Sequence, residues 1–352
     1  MEIAYGPEFS EIFISVRKYS KAIQTSDQIW DERVQHNKSL FNGKKFRLWV
    51  SEPGCRNFKK NQLYLNDILM IICYELDYGG HDGVEPNVCL HLGLTDYRTF
   101  VGTNLNPLWE RFLVPSEDDC KQCQHTSSPL GNGAIVETSD NKILVLQRSN
   151  NVGEFPGYLV FPGGHPEPEE VGITSHKFEN GLQKSELDNS KLSQEMFDSI
   201  IREVVEEIGV PSATLTWAQI LYWIGLPDDL SFGFCIRARE VTISCTIRQK
   251  PLALPWGRTP QLDSGVKSEP LFIGISRRVL NVRPTAFFFI KCNLQSTEIH
   301  QLYDSAQDGY ESTKLYAIQP SELESMASKM PGCHRGGMEL YKLMLEAQKN
   351  IK

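Results

Sequence analysis

The sequence predicts an α/β fold in two units: a small α+β unit at 1–115, then a larger unit at 129–350 with one sheet between helices. Three observations predict it. From residue 129 onward, strand-like and helix-like periodicities alternate along the chain, the pattern of a sheet covered by helices. Residues 195–208 carry Phe197, Ile200, Ile201, Val204 and Ile208 at helical spacing, so this segment docks one face and turns its charges outward. A polar stretch at 116–128 separates the two patterns and reads as a linker.

The elements follow in order. Residues 11–16 read as a strand, and 26–34 as a helix opened by a Ser/Asp cap signal. Residues 45–50 and 88–94 read as strands, and 94–100 as a capped helical turn. In the second unit, strands at 133–137 and 142–148 flank a Ser-Asp-Asn turn, and a short strand at 159–161 runs into a glycine turn. Residues 172–193 are polar and loop-like. The helix at 195–208 ends at Gly209, which suits a C′ position, and Pro211 blocks its continuation. Strands are expected at 271–275, 285–292 and 314–318, and helices at 321–329 and 338–348. Residues 221–267 mix apolar runs with a Pro/Gly cluster and no clear period, so a loose excursion is expected there. No internal repeat is evident.

Composition narrows the function. The chain has 352 residues, 40% hydrophobic and 23% charged, with a net charge of -8. A globular protein of this length can bury a sizeable core. An acidic surface does not attract nucleic acid in bulk. Nine cysteines without a framework spacing read as reduced thiols in a cytoplasmic setting. The N-terminus has no basic region and no sustained apolar core, so no secretory signal is expected. The apolar run at 68–74 is too short to cross a bilayer.

The run Arg-Glu-Val-Val-Glu-Glu-Ile-Gly-Val at 202–210 is the most informative stretch. On a helix, Glu203, Glu206 and Glu207 stand at i, i+3 and i+4 and share one face. Three carboxylates so placed repel one another unless a cation sits among them, and hard oxygen ligands suit Mg2+ or Mn2+. Arg202 can pair with Glu206 at i, i+4. Upstream, the run Phe-Pro-Gly-Gly-His-Pro-Glu-Pro at 161–168 can turn backbone N–H groups toward an anion. Each segment by itself also reads as an ordinary amphipathic helix and an ordinary loop.

Together the two segments resemble the Nudix box of the Nudix hydrolases, G-x5-E-x7-R-E-U-x-E-E-x-G-U with U aliphatic. Arg202, Glu203, Val204, Glu206, Glu207, Gly209 and Val210 match its second half, and Gly164 matches its opening glycine. Arg202 lies 38 positions after Gly164, against 14 in the pattern, so 24 residues are extra. The middle glutamate of the box falls on Gln194, with Glu195 beside it. The split box, residues 92–104, Leu40, Phe41, residues 45–48, Arg148 and Ser149 resemble a subgroup of the family that acts on nucleotide sugars and has vertebrate and plant members. The resemblance runs from about 29 to 341. Residues 49–76 and 217–267 stand outside it, the second read as an irregular insertion.

The resemblance implies a Nudix α/β/α sandwich with a mixed sheet, preceded by the small α+β domain. It implies Mg2+-dependent hydrolysis of the diphosphate of a nucleoside diphosphate sugar such as UDP-glucose, UDP-galactose or GDP-mannose, with Mn2+ also suited to the site. The metal ligands would be Glu203 and Glu207, and the catalytic groups Glu206 and Glu207. Glu206 could equally be a further ligand, act through water or serve as base. The implied substrate contacts are Phe41, Tyr97, Arg148, Gly153, Val160, His165 and Glu167. The partner is then a small-molecule nucleotide sugar, with neither nucleic acid nor membrane. Rival readings are a Nudix hydrolase of ADP-ribose, dinucleotides or coenzyme derivatives, and a non-catalytic nucleotide-sugar sensor. Cys120, Cys123 and His125 lack the second pair that a zinc site needs. Arg277, Arg278 and Arg283 either help hold phosphate or face water, and stand outside the predicted site.

Overall fold

The computed structural model describes residues 26–36, 38, 40–49, 61–65, 68–72, 87–89, 91–115, 122–123, 125–173, 189–216, 232–237, 240–247, 270–306 and 311–350. The strand expected at 11–16 lies outside them. In chain order the strands are β1 (Lys44–Trp49), β2 (Asn61–Leu65), β3 (Ile68–Ile72), β4 (Asn87–Cys89), β5 (His91–Asp96), β6 (Gly131–Glu137), β7 (Ile143–Arg148), β8 (Leu159–Val160), β9 (Leu215–Thr216), β10 (Phe232–Arg237), β11 (Glu240–Ile247), β12 (Leu271–Arg278), β13 (Pro284–Cys292) and β14 (Ser312–Ile318). The helices are α1 (Ser26–His36), α2 (Tyr97–Gly102), α3 (Asn189–Ile208), α4 (Ser296–Tyr303), α5 (Leu323–Met326) and α6 (Gly332–Asn350).

The main sheet runs β14-β7-β6-β13-β12-β3-β2, with β8 beside β7 and β9 beside β13. It is mixed: β13 runs parallel to β6 and antiparallel to β12. The period of two along a strand sends alternate side chains to opposite faces. On β13, Ala286, Phe288 and Ile290 join the core under α3, where Leu192, Met196, Phe197, Ile200, Val204 and Ile208 meet them. Phe287 and Phe289 point the other way and pack with Met338, Leu340, Tyr341 and Met344 of α6. The result is an α/β/α sandwich, as the alternating pattern predicts.

Several expectations change on contact with the fold. The loop expected to reach 193 ends earlier, because α3 starts at Asn189; Leu192, one turn before Met196, is fully buried and anchors that extra turn among otherwise polar residues. The strand expected over 88–94 is two strands: β4 pairs with β11, and β5 with β1. Within 217–267 the described residues form the antiparallel pair β10–β11. Residues 122–128 are packed in: Cys123, Thr126, Ser127 and Ser128 are buried, and the N–H of Ser127 donates to Thr103 Oγ1 (3.0 Å). Phe46 and Leu48 of β1 and Leu92 and Leu94 of β5 lie in the same core cluster as α3, so the described part of the N-terminal unit shares its core with the larger one. α2 is capped by Asp96, which accepts the N–H of Thr99 (2.7 Å). α4 had no counterpart in the sequence reading. Gly209 (φ 82) ends α3 as expected, its N–H on Val205 O at 2.8 Å.

Candidate functional site

The site forms where the glycine turn meets α3. Beyond β8 the chain turns across the sheet end. The N–H of Gly163 donates to Glu207 Oε2 (2.8 Å), the N–H of Gly164 to Asn132 Oδ1 (2.8 Å), and the N–H of His165 to Glu203 Oε1 (3.1 Å). A side chain on Gly163 (φ 153) would strike the backbone of Asn132 and Gly133, and one on Gly164 would collide with the carboxylate of Glu203. Gly163 is needed where the turn crosses β6 and Gly164 where it meets α3, so neither position has room for a Cβ.

Arg202 holds the far end of the turn. It pairs with Glu195 (Nη2 to Oε1 2.8 Å, Nη1 to Oε2 3.2 Å), not with Glu206 as the i, i+4 spacing suggested. Seven residues are nearly two full helical turns, so Glu195 lies almost in line with Arg202. Glu195 is 4% exposed and also accepts the N–H of Glu167 (2.8 Å). The bidentate bond to Glu195 raises Arg202 above the ordinary arginine value. The box glutamate therefore falls on Glu195; Gln194 is exposed and bonds Asp198.

Electrostatically the acidic group is unbalanced. Burial first, then Glu206 and Glu311, push Glu203 up to about 7 against the N–H of His165 and the charge of Lys45. Glu207 is driven well above the carboxylate range by burial and by Glu203. Glu311 has no part in the sequence analysis, and Lys45 enters it only within the 45–48 motif. Glu311 precedes β14 and becomes a neighbour only through the sheet. Lys45 pairs with Glu167 at 3.6 Å. Burial, Lys45 and Arg283 hold His165 well below the ordinary histidine value, so its ring is neutral.

A cleft opens beside the turn, lined by Arg148, Glu154, Gly163, Gly164, Arg283 and His334 among others, with Val160 in its wall. Val160 is also buried in the main core. Arg148 Nε donates to Glu154 O (2.9 Å). Burial, together with the charges of Arg148, Arg283 and Arg278, pushes His334 down to about 3, and its Nδ1 accepts the N–H of Phe161 (3.1 Å). Tyr97 stacks edge-on to Trp30 (5.9 Å between centroids), and its hydroxyl lies 3.8 Å from where a side chain on Gly153 would begin. Phe41 is 76% exposed; Gly43, two residues on, accepts the N–H of Tyr97 (3.0 Å). Arg277 and Arg278 are buried, so neither faces water. The expected substrate contacts thus fall in two places, the Phe41–Tyr97–Gly153 neighbourhood and the cleft with its glycine turn.

No family model matches the chain. Among curated proteins it is 47% identical over 346 residues to Nudix hydrolase 9 of Arabidopsis thaliana, covering 98% of this chain and 88% of that one.

The chain belongs to the Nudix hydrolase family.

This Nudix hydrolase is also 28% identical over 249 residues to the uridine diphosphate glucose pyrophosphatase NUDT22 of Mus musculus, covering 69% of this chain and 61% of that one. To its Homo sapiens counterpart it is 25% identical over 307 residues, covering 85% and 72%. Among the described residues no helix is long and apolar enough to cross a membrane.

The residues fit a divalent cation. Glu207 is buried and Glu203 half-buried; they repel each other and each spends one oxygen on a backbone N–H, leaving the other to bind. Among the described residues no three His, Cys, Asp or Glu side chains converge on one point.

Proposed function

We propose that this Nudix hydrolase cleaves the diphosphate of nucleoside diphosphate sugars, UDP-glucose, UDP-galactose or GDP-mannose, to a nucleoside monophosphate and a sugar 1-phosphate. The observation that carries this reading is the carboxylate pair of buried Glu207 and half-buried Glu203, tied to the N–H groups of a glycine turn that borders an arginine-lined cleft. The similarity to uridine diphosphate glucose pyrophosphatases supports the substrate class.

Glu203 and Glu207 would hold Mg2+, which supplies charge neutralisation on the phosphate oxygens and a more acidic water. The chain's own groups do the rest. The N–H groups of the turn fix the carboxylate positions. Glu206, part-buried one turn from Glu203, would accept a proton from the attacking water or hold it in line. Arg148 would bind phosphate through its terminal nitrogens, because its Nε is spent on Glu154 O. His165 and Glu167 would hydrogen-bond phosphate or sugar hydroxyls, Val160 would shape the cleft, and Phe41 and Tyr97 would offer ring faces to the base, with Gly153 leaving room beside the Tyr97 hydroxyl.

The test is product analysis by mass spectrometry after incubation with UDP-glucose, UDP-galactose, GDP-mannose and ADP-ribose. UMP or GMP with hexose 1-phosphate is the expected result. Turnover confined to ADP-ribose would overturn the substrate class.

A further inference from the structure

Three arginines and one glutamate make up the cationic wall of the cleft, and their hydrogen bonds divide them. Arg278 is 4% exposed and engaged through Nε and Nη2. Its Nε donates to Leu280 O (3.0 Å) and Asn281 Oδ1 (2.9 Å), and its Nη2 to Glu154 Oε1 (2.9 Å) and Asn281 Oδ1 (2.6 Å). Its guanidinium lies over the ring of Phe155, 4.5 Å from the centroid. Arg283 is different. It is 21% exposed. Nη1 bonds Glu154 Oε2, Nη2 lies 3.1 Å from His165 Nε2, and Nε has no hydrogen-bond partner among the described residues.

The charges do not balance. Glu154 gives one oxygen to Arg278 and the other to Arg283, while Arg148 is influenced by Glu311, Glu154 and Glu207. Two guanidinium groups share one directly bonded carboxylate with a third beside them, an arrangement that favours the arrival of an anion. The backbone under Arg283 is also strained. Asn281 (φ 55) and Val282 (φ 44) both take left-handed conformations just before it. A buried β-branched residue at positive φ is an outlier that persists only where its surroundings hold it. Here Asn104 Nδ2 donates to Asn281 O (2.7 Å), and Arg278 grips the Asn281 side chain. The turn between β12 and β13 is bent so that Arg283 enters the cleft. His165 links the two walls, its N–H on Glu203 and its ring on Arg283.

We propose that Arg283 is a substrate-binding residue that grips the diphosphate in the cleft, across His165 from Glu203 and alongside Arg148, while Arg278 and Glu154 are positioning residues that hold it there. This rests on the diphosphate reading above. A planar guanidinium fork on the cleft wall suits two phosphate oxygens at once.

The experiment is isothermal titration calorimetry of the full chain with magnesium pyrophosphate, a probe independent of base and sugar, on wild type, R283Q and R283K. R283Q is expected to bind about 10- to 100-fold more weakly, the range for a charge-assisted hydrogen bond. R283K, which keeps the charge and loses the fork, falls between. Wild-type affinity in R283Q overturns the proposal, as does a wild type that does not bind pyrophosphate. If R283Q does not fold, R283K decides: affinity within twofold of wild type overturns it. The wider reading fails separately. Weakened pyrophosphate binding in R283Q with no turnover of any nucleotide sugar by wild type leaves the Arg283 assignment and removes the substrate class. Nucleotide-sugar turnover that E207Q abolishes and an unchanged R283Q remove the assignment and leave the class.

Discussion

The acidic wall behind the glycine turn and the cationic wall of the cleft are built over very different distances along the chain. The acidic wall is one turn of α3, with Glu203 and Glu207 four residues apart. The cationic wall joins Glu154 to Arg278 and Arg283 across 124 and 129 residues. A short-range wall leaves a periodic mark in the sequence, since helical geometry alone puts i and i+4 on one face. A long-range wall leaves none, because sheet pairing and a bent turn decide which arginines arrive. Function that depends on both walls is therefore only half visible in the chain.

Removing an acidic ligand tests the first wall most severely. E207Q or E203Q is expected to lower kcat by about 100-fold or more, the scale for losing one preorganised electrostatic group, with the far-UV circular dichroism retained. Chelation by EDTA should do the same to the wild type, and added Mg2+ should restore the rate. Full activity after either treatment breaks the comparison at its acidic side.

Gly164 lies where turn and helix meet. G164A puts a methyl group into the Glu203 carboxylate, a side chain that can swing aside at little cost to the fold. Activity should fall about 10-fold or more, the price of a displaced catalytic group, while the thermal midpoint moves by only a few degrees. A large loss of stability with unchanged kcat per folded molecule would show that the contact is only structural.

Glu195 joins turn to helix through Arg202 and the N–H of Glu167. E195Q keeps the shape and removes the charge. We expect a stability loss of about 1–3 kcal/mol by urea unfolding and a smaller drop in kcat than E207Q gives. An equal drop would move Glu195 from support to chemistry.

Asp140, far from the cleft, sharpens the contrast from outside. Although burial alone would raise it, hydrogen bonds from Thr138, from the Ser296 hydroxyl and N–H, and from Lys142 hold Asp140 well below the carboxylate range. A depressed folded value contributes stability that is complete above the unfolded value of about 4 and is lost as pH falls below it. D140N should cost about 1 kcal/mol at pH 7 and flatten the acid limb of a stability-against-pH curve, leaving turnover at 25 °C unchanged. An acid limb identical to wild type would refute the assignment.

Much of the larger unit was legible: the β6–β7 hairpin, β12, β13, β14, α3 and its glycine stop follow from periodicity and capping. α4 was missed although Gln295 and Glu298 form a capping box ahead of buried Ile299, a signal hidden by the mixed polarity of the helix. The pair β10–β11 escaped because its segment has no clear period. Lys45 and Glu311 carry no local signature.

By itself the sequence determined the periodic features: which face of α3 is apolar, where its carboxylates cluster, and that a glycine turn lies upstream. Those follow from bonds within a few residues. The tertiary structure alone decided that Glu195 meets the N–H of Glu167, that Cys123, Thr126, Ser127 and Ser128 are buried, and that Arg283 enters the cleft while Arg278 is enclosed. Each of those outcomes depends on which distant backbone lies alongside, and contact between distant residues is set by how sheet and helices pack.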